Sequence, residues 1–133
     1  MGSMSDYLEN QILDHILRGE TYTAPATVYS ALFTVIPSDT TGGTEVTQAS
    51  SGYTRVATTF TTAGATATGQ AVNSGAVNFA TVAGGATITV VGWGLLDAAS
   101  AGNLLYWATV TSTALNVNDQ ATFPVGNITI TQD

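Results

Sequence analysis

The sequence has no lysine and no cysteine, and its only cationic side chains besides the single histidine are Arg18 and Arg55. Charged residues make up 8% of the chain, against about 25% in an ordinary soluble domain. The formal net charge is −7. Phosphate groups are bound by clustered Lys and Arg, so nucleic acid is excluded as a partner. An anionic membrane surface is disfavoured for the same reason.

Further absences narrow the class of protein. Without cysteine, disulfides and thiolate metal sites are excluded. No apolar run approaches the roughly 20 residues of a membrane helix, and the N-terminus lacks the pattern of a secretory signal. Residues 1–3 read as a cloning scar, with Met4 as the expected start. Since titratable groups are scarce, we expect no enzyme: no catalytic residue, no cofactor and no metal.

One segment, residues 5–18, has the pattern of an amphipathic helix, and we assign 4–20 to it. Asp6 is the predicted N-cap with Glu9 as its capping-box partner, and Gly19 is the predicted left-handed C-cap. A helix of about 13 residues is marginal alone. Its apolar stripe must therefore dock on its own sheet, on a sister subunit or on a larger shell. The predicted interface residues of this stripe are Leu8, Ile12, Leu13, Ile16 and Leu17.

The rest of the chain, 21–133, is rich in Thr, Val, Ala and Gly and reads as short strands. The predicted strands are 26–35, 53–60, a region around 72–79, 87–96, 103–110, 121–125 and 127–131. No helical pattern lies between them, which excludes a parallel sheet built from βαβ units. The sequence predicts a mainly β fold: a single antiparallel β-sandwich of jelly-roll type with one N-terminal amphipathic helix.

The titratable residues are more readily explained by structure than by chemistry. His15 has no second His or Cys to form a site with, so we expect a surface or interface role. Asp39, Asp97 and Asp119 each lie among turn-forming residues and are expected to close turns. The segment 97–103 could alternatively hold calcium, although it lacks dense acidic spacing. A glycosidase would need two carboxylates at a fixed separation, which nothing in the spacing indicates.

Two further features allow alternative roles. Trp93, Tyr106 and Trp107 lie on either side of the Asp97 turn; they form either a sugar-binding platform or core packing across a hairpin. Arg55 is the only Lys or Arg of the β part, and burial would require a carboxylate or carbonyl partner. We expect a structural ion pair there, within one chain or between subunits, rather than a catalytic role.

A surface of small, uncharged β-forming residues lacks the charges that usually protect sheets against association. Such a chain is expected to bury much of its surface in an assembly. The sequence therefore predicts a protein that functions as one of many copies in an assembly.

Five stretches of the chain resemble a family of small tailed-bacteriophage virion proteins, whose members are commonly labelled tail fibre proteins. They are Met4–Asn10 with Leu13–His15, Tyr22–Tyr29 with Ala31–Thr34, and Gly94–Trp107. Some small β-rich phage proteins of similar size are capsid decoration, or cement, proteins. The resemblance implies a virion protein, made in the cytoplasm of a bacterial host, and no catalytic residues.

Two functions of different classes follow as expectations. The first is a capsid decoration protein, a homotrimer that binds the major capsid protein and strengthens the head shell. It is preferred because a fibre would usually add a shaft segment or a repeat. The alternative is a tail-fibre or receptor-binding module for host surface glycans, with Trp93, Tyr106 and Trp107, or the loops 37–52 and 61–75, as contacts.

Overall fold

The computed structural model describes residues 3–47 and 51–132. Within these ranges the chain forms one helix and ten short strands, so the mainly β prediction and the N-terminal helix are confirmed. The elements are β1 (Ser3–Met4), α1 (Asp6–Arg18), β2 (Val28–Val35), β3 (Thr44–Glu45), β4 (Val56–Thr58), β5 (Gln70–Val72), β6 (Val77–Asn78), β7 (Ile88–Leu96), β8 (Leu104–Leu115), β9 (Thr122–Phe123) and β10 (Thr129–Thr131). The predictions for residues 1, 2, 48–50 and 133 lie outside the described residues.

The N-cap of the helix lies one residue earlier in the sequence than predicted. Ser5, not Asp6, is the N-cap: its side chain accepts a hydrogen bond from the Leu8 N–H at 3.3 Å. The predicted capping box with Glu9 is therefore wrong, because Glu9 falls one position beyond N3. Ser5 is fixed from outside the helix, since its N–H donates to the Leu105 carbonyl at 2.9 Å. Gly19 closes the helix with φ 70°, as predicted.

The main sheet is antiparallel and centres on the β7–β8 hairpin. Its order is β1-β8-β7-β2-β3, and β4 pairs with β2 beside β3. The larger differences from the prediction are that β2 begins at Val28 rather than Ala26, that β4 covers only Val56–Thr58 of the predicted 53–60, that β3 was not predicted, and that β8 continues to Leu115 rather than ending at Val110. A β-bulge lies in the extended part, since one β7 residue between the pairs Val90–Thr113 and Gly92–Thr109 stands against three residues of β8.

Two small antiparallel sheets, β10-β5 and β6-β9, supply the other side of the core. The predicted strand region around 72–79 is thus divided between them. The main core unites residues of the main sheet with residues of the small sheets and their loops. Its largest buried members are Leu32, Tyr53, Phe79, Trp93, Leu95, Leu115, Ile128 and Ile130. The jelly-roll arrangement of these layers stays a prediction.

A smaller cluster lies on the opposite face of the main sheet and depends on a glycine. Ala31, Phe33 and Leu96 are buried there. A Cβ at Gly94 would lie 2.7 Å from Cε2 of Phe33 and 3.0 Å from Cδ1 of Leu104. Gly94 therefore permits close packing that a larger residue would disturb.

Candidate interaction surfaces

The helix stripe is only half covered by the rest of the chain. Leu8 is buried and Ile12 is half-buried. Leu13, Ile16 and Leu17 are 53%, 70% and 75% exposed. Docking of the whole stripe on its own sheet is therefore wrong for these last three residues, which face away from the domain. A sister subunit or a larger shell remains the predicted cover.

An apolar groove follows the covered end of the helix, with a volume of about 400 Å³. Burial, and then the charge of Tyr22, raises the pKa of Tyr106 above its ordinary value. Burial raises the pKa of Tyr22 likewise. Both phenols are therefore uncharged near neutral pH, which suits an apolar surface. The groove is lined by Leu8, Ile12, Tyr22, Ala24, Pro25, Val28, Phe60, Ala71, Leu95, Leu105, Tyr106 and Ile130.

Arg55 has both kinds of partner that its burial was predicted to require. Its Nε and Nη2 donate to the two carboxylate oxygens of Glu45 at 2.9 and 2.7 Å. Its Nη1 donates to the carbonyls of Ala98 and Ala101, each at 2.7 Å. The hydrogen bond to Glu45 raises the pKa of Arg55 above its ordinary value. All these partners belong to the same chain, so a contact between subunits at Arg55 stays a prediction.

Tyr53 extends this network into the core. Its hydroxyl donates to Glu45 Oε1 at 2.8 Å and accepts from the Leu32 N–H at 3.0 Å. Burial raises the pKa of Tyr53 far above its ordinary value. Glu45 was not predicted as the partner of Arg55, because no strand was predicted around it; in the structure it lies in β3. The available signal was that a lone buried arginine requires a carboxylate.

The three candidate sugar-binding aromatics do not form one platform. Adjacent residues of a strand point to opposite faces, so Tyr106 joins the main core while Trp107 lies on the other side of the sheet. Trp93 is only 3% exposed, so the expectation of an exposed platform is wrong for it. The indole N–H of Trp107 donates to Asp39 Oδ1 at 3.0 Å. The prediction that Asp39 closes its own turn is also wrong, since Ser38 bonds Thr41 there instead.

Asp97 and Asp119 close turns as predicted. Asp97 Oδ1 accepts from the Asn103 N–H at 2.7 Å, and its Oδ2 accepts from the Asn103 side chain at 2.8 Å. Asp119 Oδ2 accepts from the Asn116 N–H at 2.8 Å. His15 hydrogen-bonds the Glu20 carbonyl through Nδ1 at 2.8 Å, at the exposed end of the helix.

A cavity of about 270 Å³ lies between the bulged part of β8 and the C-terminal segment. Trp93 forms part of its wall, and the indole nitrogen of Trp93 is buried with no hydrogen-bond partner among the described residues. The other lining residues were not predicted from the sequence, because they carry no motif and come together only through folding. The full lining is Trp93, Ala108, Thr109, Val110, Thr111, Phe123, Asn127, Ile128 and Thr129.

Within the described part of the chain, no helix is long and apolar enough to cross a membrane. The comparisons add one match. A family model described as "Podophage GP4 fiber I protein gp80" matches residues 3–131. A comparison with curated proteins finds no match.

Proposed function

This chain belongs to the family of the podophage GP4 fibre I protein gp80, and from that premise we propose that it is a structural subunit of a virion fibre that assembles as a homotrimer. The family model spans nearly all of the chain, so membership rests on the whole domain rather than on one motif. Membership also makes the chain a phage virion protein. The proposal involves no catalysis, no cofactor or metal, and no nucleic-acid or membrane partner.

The observation that carries assembly is the uncovered half of the helix. Leu13, Ile16 and Leu17 lie three and four residues apart, so they share one helical face. All three are more than half exposed. Contiguous exposed apolar side chains mark interaction surfaces in soluble proteins. Helices from three copies around one axis would bury these faces against each other, in the manner of helices with apolar residues at this spacing.

The test is the molar mass of the full chain, measured by sedimentation equilibrium. We expect a trimer, strengthened by salt because each copy carries a net charge of −7 and screening weakens the repulsion. The double variant Ile16→Ser and Leu17→Ser should sediment as a monomer with an unchanged circular dichroism spectrum. Val125→Ser is the matched control, because Val125 is 63% exposed but belongs to the segment between β9 and β10 rather than to the helix. A wild-type chain that stays monomeric at every concentration and salt level would contradict the proposal.

Capsid decoration remains a second candidate, with the major capsid protein as partner. It is supported by the arrangement of the elements around one main core, since residues 3–47 and 51–132 form neither a shaft nor an internal repeat. For this candidate we also propose the predicted jelly-roll arrangement of the sheets. Co-sedimentation of the purified chain with separated heads and tails distinguishes the two. Saturable binding to heads favours decoration, and incorporation into tails or fibres favours the fibre subunit.

Glycan recognition by the same fibre is a third possibility, favoured only by the partly exposed Trp107 and not by an aromatic platform. Binding of the chain to host cells that lack any phage particle would support it. A chain that binds particles but no cells would leave the structural role alone.

A further inference from the structure

The edge of the main sheet beside β8 is open over much of its length. Among the described residues, β1 pairs with β8 only at Tyr106 and Trp107, and no strand pairs with Ala108–Ala114 on the side away from β7. Apart from the ladder with β7, the described residues give these backbone groups one hydrogen bond, from the Thr113 hydroxyl to the Thr111 carbonyl at 2.8 Å. Unpaired backbone groups at a sheet edge can receive a strand from another chain.

This open edge, Ala108–Ala114, carries few of the features that keep edge strands apart. Edges are usually protected by charged side chains, by proline, by a bulge or by a covering segment. No charged residue lies between Asp97 and Asp119, and no proline lies within β8. The bulge at 110–112 is present, yet Thr111–Ala114 stay exposed. The threonines and the valine of the open edge also favour extended backbone.

Unfilled space borders the same stretch of β8. The cavity of about 270 Å³ beside Trp93 and a second cavity of about 340 Å³ both lie between β8 and the C-terminal segment. The two cavities share Val110, Thr111 and Phe123, and the described residues that line them carry no charge. The domain is therefore loosely packed along the open edge, which is the condition expected of a surface that another chain completes.

The chemistry of the open edge favours a second copy of this chain as its partner. Each copy carries a net charge of −7, but neither would contribute a charge at this edge. An antiparallel pair of identical strands is self-complementary about a twofold axis. The open edge is bounded by β1 at one end and by the buried Leu115 at the other. Two copies of it therefore overlap completely when they are centred on Thr111.

We propose that the open edge of β8 pairs antiparallel with the open edge of a second copy, about a twofold axis at Thr111, so that the two main sheets become one. The segment is much shorter than the roughly 20–30 residues a side of a stable interface, so dilute single subunits pair only transiently. Subunits already joined elsewhere present several edges, and multivalency strengthens pairing between two such assemblies. This contact goes beyond the proposed helix contact and does not depend on it.

Disulfide trapping of the full chain tests the pairing, and the absence of native cysteine makes each introduced thiol unique. Directly opposite residues of an antiparallel pair have Cα atoms about 4.5–5.5 Å apart, which suits a disulfide. Thr111→Cys should therefore cross-link with itself under mild oxidation. Thr109→Cys and Thr113→Cys should cross-link with each other in a mixture. Each should react slowly with itself, because its own copy would lie about 13 Å away along the strand.

Two further variants provide the controls. Thr68→Cys places a thiol at an exposed threonine outside the sheets. Thr111→Cys should cross-link at least about tenfold faster than Thr68→Cys, because pairing raises the local concentration of the opposite thiol. Adding Thr111→Lys to the mixture of Thr109→Cys and Thr113→Cys should slow its cross-linking, because like charges would meet at the axis. Thr111 is exposed, so the circular dichroism spectrum should stay unchanged.

Repeating the trapping in the double variant Ile16→Ser and Leu17→Ser separates this contact from the helix contact. Cross-linking of Thr111→Cys that persists there supports the proposal, whatever molar mass the wild-type chain shows. The proposal is overturned if Thr111→Cys reacts no faster than Thr68→Cys, or if Thr109→Cys reacts with itself as fast as with Thr113→Cys. It is also overturned if cross-linking requires the intact helix face, or if the thiol at 111 links only to another protein of the phage particle.

Discussion

The side-chain oxygen of Asn73 accepts a hydrogen bond from the backbone N–H of Ile128 at 2.8 Å, across 55 positions of the sequence. The backbone N–H of Asn73 donates in turn to the Ile128 carbonyl at 3.1 Å. The side-chain amide of Asn73 also donates to the carbonyls of Gly75 and Pro124 at 2.8 and 2.9 Å. Asn73 is fully buried, so this one side chain joins the C-terminal segment to the middle of the chain.

We predict that Asn73→Ala lowers the free energy of unfolding by about 3 kcal/mol or more, because buried backbone groups lose their partners. Urea denaturation of the purified chain measures this. Asn78→Ala, at an exposed position of β6, is the control and should change stability by about 0.5 kcal/mol or less. Equal effects of the two substitutions would contradict the importance of the buried amide.

The Arg55–Glu45 pair gives a second prediction. Arg55→Ala should lower the free energy of unfolding by about 3 kcal/mol, which is the low end for breaking a buried ion pair. The low end applies because the Glu45 side chain is 26% exposed, although that of Arg55 is only 9% exposed. Arg18→Ala removes an exposed pair with Asp14 and should cost only about 0.5 kcal/mol or less. Chemical denaturation of both variants at the same pH makes the comparison. Similar losses for the two arginines would show that burial of Arg55 adds nothing.

The raised pKa of Tyr53 predicts a loss of stability at alkaline pH. The ordinary pKa of tyrosine is 10.0, so in the unfolded chain Tyr53 ionises near that pH while the folded chain retains the proton. The folded state then binds more protons than the unfolded state, and the free energy of unfolding falls as pH rises above about 10. Below that pH the contribution is complete.

Tyr53→Phe tests this assignment in urea denaturation between pH 7 and pH 11. The variant should lose stability at pH 7, since the Leu32 N–H and Glu45 lose the hydroxyl between them. Its remaining loss above pH 10 should be smaller than that of the wild type. Tyr106→Phe is the control, because its pKa is raised too and its removal should flatten the profile less. An unchanged alkaline slope in Tyr53→Phe would contradict the assignment.

The contact between Gly94 and Phe33 gives the fourth prediction. Gly94→Ala should destabilise the chain by about 1–3 kcal/mol, because the new methyl group would meet the Phe33 ring at 2.7 Å. Gly92→Ala is the matched control on the same strand, since its nearest neighbours lie at 3.4 Å and need only a small adjustment. Thermal unfolding followed by circular dichroism should give Gly94→Ala a clearly lower midpoint temperature than Gly92→Ala. The reverse order would show that the ring moves aside freely.

Local features were predictable from the sequence. The helix was predictable, because its apolar spacing and the C-cap residue Gly19 agree with each other. Its N-cap was not, because Ser5 and Asp6 are both good capping residues; the contact of Ser5 with Leu105, a hundred positions away, decides between them. The extension of β8 past Val110 was not predicted, because the bulge interrupts the alternation of side chains that marks a strand in the sequence.

Features that depend on pairing between distant segments could not be predicted from the sequence. The pairs β10-β5 and β6-β9 join short strands far apart in the chain, and two or three residues carry too little pattern to identify a partner. The Trp93 cavity arises from the same pairing, because its lining comes from β7, β8 and the last strands. The separation of Trp93 from Trp107 depends on the register of the β7–β8 hairpin, which places Trp93 opposite Ala108 and Trp107 opposite Gly94.

The attachment of the helix by one end also has a consequence in time. The hydrogen bond from the Ser5 N–H to Leu105 holds the start of the helix to β8, whereas Ile16 and Leu17 near its end are exposed. The sheets can therefore complete their folding before the C-terminal turns of the helix are buried in any contact. Hydrogen exchange would then proceed fast in the last turn of the free subunit and slow down only after oligomers form. Morphogenesis would proceed in two stages, with a finished subunit first and a locked helix second.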